Sequence, residues 1–242
     1  MRDILIIGES CQDFFVYCDA LRIAPDVPVP ILNIVSTTEN PGMAANVFRN
    51  IAKYKNSCDL LTNPNWKNVT KTRYIHEKSN HMFFRVDSND HIEPVKLDAL
   101  NLDYKYVVIS DYNKGYLTEN AIELICNQHP KVFLDTKKPL GTWANSAFYI
   151  KINDYEFTHS NPEITNSLEH KIIRTMGSEG CRFKGTNFPV DKVEVKDSSG
   201  AGDSFMAALV IKYLDSEDII TSIEFANKLA SQIVKQRGVG II

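Results

Sequence analysis

The residues best placed to do chemistry lie in the run Asp197-Ser198-Ser199-Gly200-Ala201-Gly202-Asp203-Ser204-Phe205. Gly200, Ala201 and Gly202 can turn tightly enough to aim successive backbone N–H groups at one point. The apolar run after them reads as a helix whose N-terminus adds positive potential there. The combination makes an anion site. Asp203 falls in the first helical turn beside it, where a carboxylate can take the proton from a hydroxyl that attacks a bound phosphate. The same residues also suit an ordinary helix start, with Asp203 serving only the helix dipole. Asp13, Asn46, Arg85 and Lys114 are further candidates. Asp and Asn side chains hold hydroxyls, and an arginine supplies the bidentate partner that a phosphate needs. Each also has a commoner structural use, as a turn, cap or solvated strand residue.

The elements that must position these residues follow from periodicity. Residues 4–7 form a buried strand ending at Gly8, and ligands of open parallel sheets bind beyond such carboxyl ends, where Glu9 and Asp13 follow. Residues 14–17 and 29–35, with Pro25, Pro28 and Pro30 between them, read as short edge strands, and 70–75 with 82–86 as a hairpin. A Pro-Gly turn at Pro41-Gly42 opens a helix that continues through Val47, Ile51 and Ala52. Residues 106–110 form a buried strand ending at Asp111, 119–128 a helix, and 132–135, 148–152 and 172–175 further strands. Helices follow Asp203 and span 223–234. Strand–helix–strand alternation with polar residues at each strand end predicts a doubly wound α/β fold with a mostly parallel sheet.

The chain has 242 residues, 43% of them hydrophobic, enough for one large core. A net charge of −3 and a pI near 6.1, with lysine and arginine dispersed, leave no electrostatic footprint for nucleic acid or a membrane surface. No apolar run reaches the length of a signal peptide core or a membrane span, so a cytoplasmic protein is expected. Five cysteines without a Cys-x-x-Cys and six histidines without metal-ligand spacing read as reduced thiols and ordinary side chains. There is no Walker loop, and Gly8-Glu9-Ser10-Cys11 lacks the dinucleotide-binding glycines.

The run from Asp197 to Phe205 resembles the second signature of the ribokinase-like (PfkB-type) carbohydrate kinases, Asp-Thr-Thr-Gly-Ala-Gly-Asp-x-Phe, with Ser198 and Ser199 replacing the threonines. Gly42-Met43-Ala44-Ala45-Asn46 resembles the first signature, Gly-Gly-Ala-Ala-Asn, with Met43 in place of the second glycine. Asn153-Asp154-Tyr155-Glu156 is similar to the family's Asn-x-x-Glu motif. Thr175-Met176-Gly177-Ser178-Glu179-Gly180 is similar to its nucleotide loop, and Ala226-Asn227 to a position lining the adenine pocket. Within the family, the segment from Arg22 to Pro30 and Ser110-Asp111-Tyr112-Asn113-Lys114-Gly115 most resemble the kinase domain that acts on D-glycero-β-D-manno-heptose 7-phosphate. The stretches between Lys55 and Thr70 and between Glu156 and Ile172 are shorter than in that domain.

The resemblance implies a ribokinase-like three-layer α/β sandwich, a single kinase domain over 1–242, with a small β lid at about 14–36 and 70–95. It implies ATP with Mg²⁺, and phosphoryl transfer to C1 of a heptose 7-phosphate or a similar sugar phosphate. Asp203 is then the base, with Gly200, Ala201 and Gly202 as the anion hole. Asp13, Gly42, Asn46, Arg85, Asp111 and Lys114 face the sugar. Asn153, Thr175, Gly177, Gly180 and Asn227 face the nucleotide, with Glu156 at the metal through water. The resemblance also allows a homodimer through the lid. A kinase of another sugar or nucleoside, and an inactive sugar- or nucleotide-binding homologue, are the alternatives. Retention of Gly200, Gly202, Asp203, Asn153 and Glu156 together speaks against the inactive one.

Overall fold

A strand covered on both faces has to be apolar at nearly every position, and the segment Ile4-Leu5-Ile6-Ile7 meets that condition at 0–4% exposure. It lies in the first strand of a computed structural model that describes residues 2–55, 57–88, 91–98 and 100–240. In chain order the elements are β1 (Arg2–Gly8), β2 (Ser10–Ile23), β3 (Pro30–Met43), α1 (Ala44–Tyr54), β4 (Cys58–Leu61), β5 (Thr70–His76) and β6 (Met82–Asp87). There follow β7 (Tyr104–Asp111), α2 (Glu119–Gln128), β8 (Val132–Thr136), β9 (Tyr149–Asn153), α3 (Asp154–Thr158), α4 (Pro162–Leu168) and β10 (Ile172–Thr175). The chain closes with β11 (Cys181–Phe183), β12 (Thr186–Phe188), α5 (Ala201–Ser216) and α6 (Ile219–Ile233).

Eight strands form the main sheet in the order β12-β11-β10-β9-β8-β7-β1-β4. From β10 to β4 every pairing is parallel. Alternate strand residues serve two cores. Ile4, Ile6, Tyr106, Val108 and Phe133 pack with α1, α5 and α6, whereas Leu5, Ile7, Val107, Ile109 and Leu134 pack with α2. The result is a three-layer α/β sandwich. Its parallel strands end along one edge, in a register that sets Gly8 beside Ser110, Asp111 beside Thr136, Asp135 beside Lys151, and Asn153 beside Thr175.

The second sheet, in the order β3-β2-β5-β6, is the lid. Asp13 pairs with Asn40 and Lys71, Phe15 with Arg73, Arg73 with Arg85, and Lys71 with Asp87. Directly paired residues share a face, so one face carries all of these. Phe15, Tyr17 and Ile75 on that same face pack with Val239, which turns it toward the main body. The strands run over 10–23, 30–43, 70–76 and 82–87; Asn89 and Asp90, within the expected lid segment, lie outside the described residues.

Two local expectations change, and two elements appear that the sequence did not announce. Asn40, Pro41 and Gly42 do not form a turn: β3 pairs with β2 as far as Met43, opposite Ser10, and the helix begins at Ala44. Continuous cross-strand pairing overrides the local Pro-Gly preference, and Pro41 is tolerated because β3 is an edge strand. β4, four residues without alternation, adds to the free edge of β1. The β11–β12 hairpin turns at Lys184 and Gly185, both at positive φ (48° and 77°). α6 starts four residues before the expected helix, at Ile219, because the Asp218 side chain caps it by accepting from the N–H groups of Ile220 and Thr221. No helix among the described residues is long and apolar enough to cross a membrane.

Candidate active site

The start of α5 is built around Gly200, whose φ of 78° belongs to the left-handed region. A Cβ at this position would also lie 2.8 Å from Val239 Cγ1 and 2.9 Å from Asn46 Nδ2. Only glycine fits. Asp197 braces the preceding turn, accepting from the N–H of Ser199 at 2.8 Å and of Gly238 at 3.1 Å. Asp203 then lies in the first turn of α5 with 6% exposure. Its Oδ2 accepts from Asn46 Nδ2 at 2.9 Å and its Oδ1 from the Tyr112 hydroxyl at 2.5 Å. Burial pushes the Asp203 carboxyl above the usual range, while the bonds from Asn46 and Tyr112 pull it back. Burial and the facing Asp203 hold the Tyr112 phenol far above its ordinary value, so Tyr112 stays a donor.

A cavity of about 630 Å³ opens beside this helix start and is lined by Gly200–Asp203, Lys137 and Lys151. Lys151 Nζ stands 3.0 Å from where a Gly202 Cβ would be and 2.7 Å from Asp135 Oδ2, in an ion pair with side chains 3% and 4% exposed. Lys137 Nζ bonds Glu156 Oε1 at 2.5 Å and sits 5.5 Å over the Tyr112 ring. Burial alone would lower the Lys137 ammonium, but Asp135 and Glu156 hold it above its ordinary value. Sequence reasoning missed Tyr112, Lys137 and Lys151. Only the strand register that sets Asp135 beside Lys151 reveals the last of them, and no pattern in the sequence announces it.

Asn153 and Glu156 form a reciprocal capping box on α3. Asn153 Oδ1 accepts from the Glu156 N–H at 2.8 Å, and Glu156 Oε2 accepts from the Asn153 N–H at 2.7 Å. Glu156 Oε1 accepts from Asn153 Nδ2 and Lys137, so both carboxylate oxygens are engaged. Asp135 Oδ1, by contrast, is buried without a hydrogen-bond partner. The cavity continues past Asn153 to Thr175, Gly177, Gly180 and Asn227, with an apolar wall of Val190, Val193, Val195 and Val234. Asn227 Nδ2 is anchored on the carbonyl of Phe188 at 2.9 Å.

On the lid side, Asp13 accepts from Arg73 Nη1 at 2.7 Å, and its carboxylate occupies the place where a Cβ on Gly42 would project. Gly42 is therefore required by close approach. Lys71 is buried, with its ammonium 3.9 Å from the Met43 thioether and 5.9 Å over the Tyr112 ring. Arg85, on the body-facing side of the lid, makes a bidentate pair with Asp87 at 2.7 and 3.0 Å. Asp111 is bound into the scaffold: it accepts from Lys138 Nζ at 2.7 and 2.9 Å, from Thr136 Oγ1 at 2.5 Å and from the Asn113 N–H. Lys114 belongs to the turn after β7. Its N–H, with those of Tyr112 and Tyr116, donates to the wholly buried Glu9, whose carboxyl is raised by burial and by Asp111. Glu9 thereby fixes the loop that delivers the Tyr112 hydroxyl to Asp203.

Residues 68–242 match the pfkB family carbohydrate kinase. The chain belongs to that family. It is 26% identical over an alignment of 303 residues to the bifunctional protein HldE of Helicobacter pylori strain G27, covering 98% of this chain and 64% of that relative. The chain thus spans less than two thirds of the length of the curated relatives it matches. Among solved structures, ribokinase from Thermotoga maritima superposes with a TM-score of 0.71 at 13% identity, covering 99% of this chain and 95% of the other. Arabidopsis thaliana ribokinase complexed with ribose and ATP gives 0.68 at 13% identity, covering 98% and 94%. The fold of this family member is ribokinase-like, with the lid as its second sheet.

The Asp135–Lys151 pair makes a stability test. Lys151→Met leaves a buried carboxylate uncompensated and is expected to cost about 3–5 kcal/mol in denaturant unfolding. The double variant Lys151→Met/Asp135→Leu is expected to recover most of that loss. A single variant within about 0.5 kcal/mol of wild type would show that the pair is not electrostatically closed.

Proposed function

We propose that this chain transfers the γ-phosphoryl group of ATP to a hydroxyl of a sugar phosphate, with Asp203 as the general base. The observation that carries this reading is the placement of Asp203. It lies in the first turn of α5, held on one oxygen by Asn46 and on the other by Tyr112, between the 630 Å³ cavity and the lid. Asp203 takes the acceptor proton, the acceptor oxygen bonds to the γ-phosphorus, and the bond from that phosphorus to the bridging oxygen of ADP breaks. The helix start at Gly200–Gly202, with Lys151 and Lys137, borders the cavity where charge develops on the transferred group. Thr175, Gly177, Gly180 and Asn227 border the nucleotide, and Asn153 shapes the turn beneath its phosphates. Mg²⁺, when bound, neutralises charge on those phosphates and keeps most of its waters. Glu156 would help to hold that ion through a water once Lys137 turns to the phosphate.

Asp13, Gly42 and Asn46 are the acceptor side of the reading. Among the described residues, the body-facing side of the lid pairs Arg73 with Asp13 and Arg85 with Asp87, leaving the buried Lys71 as the cation in excess of those pairs. That excess supports an anionic acceptor, and with the resemblance between residues 22 and 30 it favours heptose 7-phosphate, phosphorylated at C1. In this reading Arg85 and Lys114 serve its remote phosphate, and Asp111 acts through the scaffold under Tyr112. The lid also exposes Leu21, Ile23, Ile34, Val35, Phe84 and Val86, an apolar surface that suits a second copy of this chain.

Asp203→Asn is expected to lower kcat by roughly 10²–10⁴-fold while ATP-Mg²⁺ still raises the melting temperature. Turnover within a few-fold of wild type would remove Asp203 as the base. Because its carboxyl is raised, the acid limb of the wild-type kcat profile is expected above the ordinary aspartate value near 4: activity falls as pH drops and Asp203 gains its proton. Wild type is expected to prefer the phosphorylated sugar over its neutral counterpart, and Arg85→Ala to cut that preference roughly 10–100-fold in kcat/KM, the value of a charged hydrogen bond. Equal kcat/KM for the two sugars would place the acceptor among neutral sugars. Phe84→Glu is expected to turn a dimer into a monomer by sedimentation; a monomeric wild type would exclude the lid contact.

A further inference from the structure

Arg49 lies one turn after Asn46 on α1, outside every motif of the sequence and outside every step above. Its guanidinium reaches three elements at once. Nη1 donates to Asn40 Oδ1 on β3 at 2.9 Å, and Nη2 donates to Asn46 Oδ1 at 3.3 Å and to the Val239 carbonyl in the C-terminal segment at 3.4 Å. All three partners are neutral. Nε is buried with no partner, and burial draws the Arg49 pKa down. A partly buried arginine is ordinarily matched by a carboxylate; here, among the described ion pairs, none involves Arg49.

What this arginine decides is the orientation of one amide. Asn46 Oδ1 accepts from Arg49 Nη2 and from Asn50 Nδ2, each at 3.3 Å, which leaves Asn46 Nδ2 facing Asp203 Oδ2 at 2.9 Å. With the amide turned over, its oxygen would face the carboxylate and its NH₂ would face two donors. Two donors behind Asn46 therefore set which group the base meets. Asn50 is further tied to the Asn46 carbonyl at 2.8 Å, and Arg49 joins the lid and the C-terminal segment. Val239 in turn lies against Gly200 at the anion site.

We propose that Arg49 is a positioning residue, which holds Asn46 in the orientation that donates to Asp203 and ties that orientation to the lid through Asn40 and to the C-terminal segment through Val239. The proposal rests on Asp203 as the base. Lid closure over an acceptor then reaches the base through Asn40, Arg49 and Asn46, without Arg49 touching the reacting atoms. The other groups that act on Asp203 are the Tyr112 hydroxyl, Asp135, Lys151, Lys137 and the Cys11 thiol, and none of them contacts Arg49.

The test uses the full chain as wild type, Arg49→Gln, Arg49→Lys and Asn40→Ala. The Asp203 side-chain carboxyl is titrated by ¹³C NMR without substrate, and kcat and KM are measured with ATP and heptose 7-phosphate. Loss of the Asn46 donation favours the protonated carboxyl, so Arg49→Gln is expected to raise the Asp203 pKa and to move the acid limb of kcat upward with it. It is also expected to lower kcat roughly tenfold, the effect of one hydrogen bond, with the KM for ATP within twofold of wild type. Arg49→Lys, which keeps a donor, should recover part of both effects. Asn40→Ala, which cuts only the lid contact, should raise the KM for the acceptor while leaving the substrate-free titration in place. An unchanged Asp203 titration in both Arg49 variants would overturn the proposal, as would a lysine variant no better than glutamine. Should Arg49→Gln not fold, a smaller upward shift of the Asp203 titration in Arg49→Lys carries the decision, and an unshifted one overturns the proposal. If wild type has no kinase activity, the kinase reading fails, yet the titration still decides whether Arg49 acts on Asp203.

Discussion

A carboxylate taken out of water at the start of α5 has to be supplied with donors from outside its own helix, and the arrangement of the site answers that need. Asn46 comes from α1, which packs against α5, and Tyr112 comes from the turn after β7. The helix N-terminus adds its own potential, and Lys151 adds charge from β9. None of these can be placed unless the sheet, both helices and the loop held by Glu9 are in register. The desolvation that raises the Asp203 carboxyl also raises its affinity for a proton, which the proposed role of base requires.

The sheet edge repeats a second device. At successive strand ends a lysine meets a buried carboxylate: Lys138 with Asp111, Lys151 with Asp135, and Lys137 with Glu156. Buried pairs of this kind seldom add net stability over apolar side chains of equal volume, so their value lies in what they hold. Two of the lysines border the cavity at the start of α5, and the third secures the strand end beneath Tyr112. The Asn-x-x-Glu motif fits the same scheme, since in this state its glutamate caps α3 and restrains Lys137.

The lid is a sheet with two characters. Its body-facing side gathers Asp13, Lys71, Arg73 and Arg85, while its edges and other side expose large aliphatic and aromatic side chains. Because successive strand residues alternate faces, a one-residue slip would exchange these surfaces. The unbroken β2–β3 pairing from Ser10 to Tyr17 holds the register over the part that carries Asp13 and Phe15. Met43 ends that pairing at φ 59°, uncommon for a residue with a side chain, and its thioether contacts Lys71.

The strand–helix alternation, the helix at 119–128 and the Gly200–Asp203 helix start were legible in the sequence because they depend on short-range periodicity, and on the turn freedom of glycine within a few residues. The order of signatures along the chain likewise pointed to the family. What tertiary structure decided is of longer range. β4 exists because β1 had a free edge, and β3 runs through Pro41-Gly42 because β2 lies beside it. Asp111 and the Lys114 backbone turned out to brace the loop under Tyr112. Tyr112, Lys137, Lys151 and Arg49 gained their roles only from neighbours far away in sequence. Asn46 and Asp203 are 157 residues apart, and Tyr112 and Asp203 are 91 apart. Which donor meets which buried charge is a matter of compensation across the folded molecule, and no local pattern encodes it.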